Sequence, residues 1–201
     1  MMVIDDKFEK WTKGLGDKEK RISIFNHIRD IEYAIVPGTR NYSNGPEKIL
    51  KLNRGSCTPK HFLLGMMLER IKIPIKYVTY PYSWNDPKIS YPKELAVLAK
   101  KLPTEYHLAC KAFIENRWVN IDATWDIGLK KPGFPVNENW DGVSNTQNAV
   151  TSIDEIIHEN AAERELFVTE KLEKRTDEQN NDVKQFIAAF NDWLDKERRL
   201  S

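Results

Sequence analysis

Asn53-Arg54-Gly55-Ser56-Cys57-Thr58-Pro59, running into Lys60-His61-Phe62-Leu63-Leu64-Gly65-Met66-Met67-Leu68, is the stretch on which the reading of this chain turns. Pro59 has no backbone N–H and belongs in the first turn of a helix, where Ser56 or Thr58 is placed to cap the free amides. A helix therefore starts beside Cys57. Phe62, Leu63, Leu64, Met66, Met67, Leu68 and Ile71 fall on nearly every face of it, so it is expected to be central and buried, with Gly65 permitting close packing. A thiol at the N-terminus of such a helix sits at the positive end of the helix dipole, which favours its ionised form.

The surroundings read as alternating elements. Upstream, Ile22, Phe25, Ile28, Ile31 and Ile35 recur at helical steps, predicting a helix from Asp17 to Ala34 that ends before Pro37-Gly38, and a second, short helix is expected over Pro46 to Leu52. Downstream, Ile73 to Tyr80 reads as a strand, with Pro74 at its start where a missing donor is tolerated. The aromatic- and Pro-rich stretch from Pro81 to Pro92 is a loop, and Lys93 to Lys101 is a short helix. Tyr106 to Ile114 and Trp118 to Thr124 both alternate across Glu115-Asn116-Arg117, which predicts a β-hairpin. An even-membered loop centred on Glu115 and Asn116 pairs Ile114 with Arg117, Ala109 with Asp122 and His107 with Thr124. His107 and Asp122 are then diagonal neighbours on one face, about 7–8 Å apart at the backbone, a gap their side chains can close to a hydrogen bond. Cys57, His107 and Asp122 thus have the chain order of a thiol triad. In such a triad Asp122 fixes the imidazole tautomer, and His107 holds the thiolate as an ion pair and later protonates the leaving group.

Arg54-Gly55-Ser56-Cys57-Thr58-Pro59 at a helix start, Ile73-Pro74-Ile75, His107-Leu108-Ala109 and Arg117-Trp118-Val119-Asn120-Ile121-Asp122-Ala123-Thr124 together resemble the transglutaminase-like (papain-related) cysteine enzyme superfamily over about residues 40–125. The chain departs from that pattern at Ala109, where the family often has Trp, and at Lys72, where it has Gly before Ile-Pro. The resemblance implies an α+β papain-like core, with the Cys-bearing helix packed on an antiparallel sheet. It also implies acyl transfer from an amide of a protein or peptide through a Cys57 thioester, ending on water or an amine, with His107 and Asp122 as the partners of the thiol. A helix N-terminus also offers the backbone N–H of Cys57 to an oxyanion, and Asn53, Asn44 and Tyr42 are candidates for a second donor. His61, one turn after Cys57, and Trp84, among the aromatics Tyr77, Tyr80, Tyr82 and Tyr91, are candidates for the cleft wall.

Composition narrows the alternatives. With 31 Lys+Arg against 30 Asp+Glu the formal charge is +1, which supplies no general field for nucleic acid or an anionic membrane. The longest apolar run, Phe62 to Leu68, is far short of the ~20 residues of a membrane span. The start, Met1 to Lys7, carries acids where a signal peptide has bases, so a cytoplasmic location is expected. A reducing compartment argues against a Cys57–Cys110 disulfide. Cys57, His61, His107 and Cys110 number enough for tetrahedral zinc, but positions three apart on a strand face opposite sides, so neither metal nor cofactor is expected, and Cys110 is read as a small core residue.

From Lys130 to Val150 no period emerges; this segment is expected to pack over or beside the cleft with Trp140. Ser152-Ile153-Asp154-Glu155 fits a capping box opening the C-terminal helices, and the charged run Glu163 to Asp182 reads as a solvated helical face. A single α+β domain over 1–201 is expected, with helix 17–35 and helices 152–199 as additions to the core. The rival to an enzyme is a non-catalytic protein-interaction module on the same scaffold.

Overall fold

A computed structural model describes residues 3–199. The order of elements is α1 (Val3–Thr12), α2 (Asp17–Arg29), β1 (Glu32–Tyr33), α3 (Gly45–Leu52), β2 (Arg54–Gly55), α4 (Cys57–Arg70), β3 (Ile75–Tyr82), α5 (Lys93–Ala99), β4 (Glu105–Ile114), β5 (Arg117–Ile121), a 3-10 turn at Ile127–Leu129, β6 (Ile156–His158), α6 (Ala161–Leu172) and α7 (Asp177–Arg199). β5, β4, β3 and β6 form, in that order, one antiparallel sheet, and β1 and β2 make a short parallel bridge. The architecture is α+β, with the helix that carries Cys57 buried on the sheet.

α4 earns its central place through composition. Phe62, Leu63, Leu64, Met67 and Leu68 are fully buried, and they meet Leu108, Cys110 and Ala112 of β4 and Val119 and Ile121 of β5 in one core. Gly65 is packed so closely that a Cβ there would collide with the Tyr77 hydroxyl of β3. The hairpin has the register expected from its loop: Ile114 pairs with Arg117, Ala112 with Val119 and Cys110 with Ile121. Glu115 and Asn116 both take positive φ, as a two-residue turn matched to strand twist requires.

Three expectations are corrected. α2 stops at Arg29 rather than running to Ala34, because tertiary contacts claim the chain beyond it. The carbonyls of Arg29 and Ile31 accept from the buried Lys60 ammonium at 2.8 and 2.9 Å, a third bond runs to the Thr124 carbonyl at 2.7 Å, and Tyr33 N–H donates to Asp126. Burial pushes the Lys60 pKa down to about 7 against the pull of Asp126, Asp30 and Asp122. Second, no helix opens at Ser152. Ile156–His158 instead adds an edge strand beside β3, and the cap lies at Asn160, whose side chain accepts from Glu163 N–H while Glu163 accepts from Glu159 N–H. Third, the run from Glu163 to Asp182 is not wholly solvated: Arg164 is only 3% exposed. α1 carries no expectation from the sequence.

Met1 and Met2, part of the stretch read for a leader, lie outside the described residues. Among the described residues no helix is long and apolar enough to cross a membrane.

Candidate active site

Ser56 is the N-cap of α4, so Cys57 occupies the first helical position, and the first amide of the helix bonded to the cap carbonyl is that of Lys60. The amides before it are free of helical partners. β4 brings His107 to the same place, opposite Tyr80 of β3. The chain leaving β5 brings Asp122. His107 Nε2 donates to Asp122 Oδ2 at 2.8 Å, which leaves Nδ1 for the thiol. All three side chains are buried: Cys57 is 8% exposed, His107 2% and Asp122 1%.

The electrostatics follow from this placement. Burial alone raises the Cys57 pKa, but the charge and hydrogen bond of His107, the Leu108 N–H and the Arg164 charge outweigh it and bring the thiol down to about 7. Burial disfavours the His107 cation, yet Asp122 and Cys57 lift its pKa to about 10. Burial likewise disfavours the Asp122 carboxylate, and His107 by charge and hydrogen bond, with His61 and Thr124, holds it well below the usual range. Cys110 is the contrast: burial pushes its thiol far up, and its Sγ donates to the His61 carbonyl at 3.3 Å.

Asp122 is held by groups that no periodicity reveals. Its Oδ2 also accepts from Ala149 N–H at 2.8 Å, its Oδ1 from Thr124 N–H at 3.1 Å, and its own N–H donates to Thr146 at 2.8 Å. Trp125 fixes that loop by donating to the Ala149 carbonyl at 3.0 Å. The irregular segment from Lys130 to Val150 thus wraps the Asp122 end of the row instead of covering the thiol. Trp140 packs on Phe25 of α2, with ring centroids 5.0 Å apart.

His61 is fully buried behind the row. Ala123 N–H donates to its Nε2 at 2.9 Å, which obliges Nδ1 to carry the proton and donate to the Cys57 carbonyl at 2.9 Å. Burial takes its pKa down to about 4, so it is a neutral brace between α4 and the end of β5 and does not wall the cleft. The cavity beside Cys57 is walled by Tyr33, Tyr82, Trp84, Arg164, Phe186 and neighbours, so of the cleft candidates Trp84 is in place. Tyr42, Asn44 and Asn53 do not line it. Tyr42 packs edge-on against Phe62, Asn44 is the N-cap of α3, and Asn53 ends α3 in left-handed conformation. Arg164, whose charge reaches the thiol, is hidden from sequence reading within its charged run; the buried Ala161 and Val168, one turn to either side, mark the inward face.

A family model described as the transglutaminase-like superfamily matches residues 8–123. The match spans more than half of the chain and contains Cys57, His107 and Asp122: the chain belongs to the transglutaminase-like superfamily. Among solved structures it is similar to a provisionally assigned cysteine protease from Cytophaga hutchinsonii, at 17% identity over 78% of this chain and 49% of that one, with a TM-score of 0.42. It is also similar to a provisionally assigned protease from Parabacteroides distasonis, at 19% identity over 60% of this chain and 23% of that one, with a TM-score of 0.38. This chain therefore spans less than half the length of either. No curated protein matches it.

Proposed function

We propose that this protein is a thiol enzyme that takes an acyl group from an amide of a protein or peptide through a thioester on Cys57. The observation that carries this reading is the position of His107, hydrogen-bonded to Asp122 on one nitrogen and facing, on the other, a thiol at a helix N-terminus. The Cys57 thiolate attacks the amide carbonyl carbon, and the carbonyl oxygen takes the negative charge beside the free N–H of Cys57. When the C–N bond breaks, the proton on His107 Nδ1 passes to the departing amine, which leaves a neutral imidazole and a thioester. Water or an amine then gives a proton to His107 as it attacks the thioester. The C–S bond breaks and the thiolate–imidazolium pair returns. Asp122 is a positioning group that holds the tautomer throughout, and no metal or cofactor is needed for the balance.

Incubation with p-nitrophenyl acetate tests the reading. The thiolate displaces p-nitrophenolate, so mass spectrometry is expected to find one acetyl group on Cys57, labile to hydroxylamine and absent from Cys57→Ala. Added methylamine separates transfer from hydrolysis through the product it forms. The alternative, a non-catalytic interaction module, takes its support from the small size of the cavity beside the thiol, which Val183, Phe186 and Ile187 of α7 help to line. A protein that never acetylates at Cys57, or does so equally with His107→Ala, is that module.

A further inference from the structure

Arg164 is a buried cation with no carboxylate of its own, set on the same cavity as Cys57. It lies in the first turn of α6. Its Nη2 donates to the Tyr106 carbonyl at 3.2 Å and approaches Thr58 Oγ1 at 3.5 Å, while its Nε is buried with no hydrogen-bond partner. The acids nearby are engaged elsewhere: Glu105 pairs with Arg175 at 3.0 Å, and Glu165 accepts from Tyr42 N–H at 2.7 Å. A second guanidinium, that of the exposed Arg40, lines the same cavity, as do Ser56, Thr58 and the Arg175-paired Glu105 beside the aromatic and aliphatic walls.

Of the charges that act on Arg164 the Cys57 thiolate pulls most strongly, ahead of Glu165 and Glu105, while Arg40 opposes them. The distances are short: Thr58 Oγ1 is 4.0 Å from Cys57 Sγ and 3.5 Å from Arg164 Nη2, so sulfur and guanidinium are separated by no more than the sum of the two. Before reaction, thiolate, imidazolium, Asp122 and Arg164 balance. In the acyl-enzyme the sum is still zero, but the charge beside Arg164 is gone, because the sulfur is then a neutral thioester and His107 has lost its proton to the departing amine. Asp122 retains its own hydrogen-bond donors, but Arg164 loses its strongest attraction. It keeps only the weaker pull of Glu165 and Glu105, which are bonded to other groups, so a substrate anion would restore what the thioester removes. The cavity is small, about 30 Å³, room for only a small group beside the thiol.

We propose that Arg164 is a specificity residue that receives a carboxylate carried by the acyl part of the substrate, a few carbons from the scissile carbonyl. The substrate class is then an amide of an acidic acyl group. This rests on the thiol-enzyme reading above.

Iodoacetate and iodoacetamide test it, because they deliver nearly the same group to Cys57 with and without a carboxylate. The ratio of their rates, read at Cys57 by peptide mapping, cancels the thiolate fraction. In the full chain at pH 7 iodoacetate is expected to react faster by about tenfold, as a close unscreened charge pair permits. Arg164→Gln should bring the ratio to one or below, and Arg164→Lys should keep part of the preference. A measurement without variants guards against misfolding: N-acetylaspartate should slow labelling by iodoacetamide, and N-acetylasparagine at equal concentration should not. A wild-type ratio at or below one, a ratio unchanged in Arg164→Gln, or equal protection by the two amino acids overturns the inference while leaving a His107-dependent thiol intact. A Cys57 inert to both reagents overturns the thiol reading and this inference with it.

Discussion

Asp122→Ala probes the most heavily bonded side chain of the site. The carboxylate is 1% exposed and accepts from His107 Nε2, Ala149 N–H and Thr124 N–H. Removing it leaves two buried amides unpaired and a buried imidazolium without its counter-charge. An orphaned buried donor costs about 1–3 kcal/mol, and breaking a buried ion pair by deleting one partner costs about 3–5 kcal/mol. A loss of about 4 kcal/mol at pH 7 is therefore expected, a large part of the ~5–15 kcal/mol of a typical domain. At this chain length each kcal/mol moves Tm by about 2–4 °C, so Tm should fall by roughly 10 °C. The pH dependence carries the sign. The Asp122 carboxyl titrates lower in the folded chain than the ~3.9 of an unfolded one, so its stabilisation is complete above about pH 5 and is lost as pH falls through the folded value. The part of the gap between wild type and variant that belongs to the Asp122 carboxyl should be lost below pH 4. Between pH 7 and 5 the gap should not shrink, because the variant also loses the Asp122 support that lifts His107. Urea unfolding with unchanged m-value measures it at each pH. A gap below about 1 kcal/mol at pH 7, or one that does not narrow below pH 4, would refute the reasoning.

Other outcomes follow from neighbouring contacts. His61 is depressed to about 4, below its unfolded ~6.5, so the unfolded chain binds a proton that the folded one refuses, and stability should decline from pH 6.5 towards 4. His61→Gln should flatten that decline while costing about 1–2 kcal/mol at pH 7; an unchanged slope in urea titrations would remove His61 from the account. Gly65→Ala drives a methyl into the Tyr77 hydroxyl and should cost about 1–3 kcal/mol by overpacking. Tyr77→Phe should recover part of it in a double-mutant cycle, and strict additivity would show that the collision is not the cause.

The parts of the fold legible in the sequence are those set by local rules. Pro59 and Ser56 marked the start of α4, the apolar residues around it marked its burial, and the Glu115–Asn116 turn set the register that aims His107 and Asp122 at one another. What was not legible depends on distant partners. α2 ends where Lys60, thirty residues on, draws in the carbonyls of Arg29 and Ile31, and helical periodicity in Ile31 and Ile35 contains no record of that. β6 is too short to alternate, and it forms because β3 offers it an edge. Asp122 depends on the amides of Thr124 and Ala149 and the hydroxyl of Thr146, backbone and side-chain groups that any residue pattern hides. Arg164 looked like one more solvated charge, because a single inward arginine does not disturb the periodicity of a charged helix.

The central claim is that Cys57 is a thiol ionised by His107. The most direct measurement is the rate of iodoacetamide alkylation of each cysteine from pH 5 to 10, resolved by peptide mapping in wild type and His107→Ala. The thiol at Cys57, held at about 7 against the ~8.5 of a free cysteine, should react readily near pH 6 to 7. In His107→Ala its profile should move up by a pH unit or more, because the burial that remains disfavours the thiolate. Cys110 should stay unlabelled until the chain unfolds. Slow labelling of both cysteines with one profile, unmoved by the loss of His107, would contradict the account.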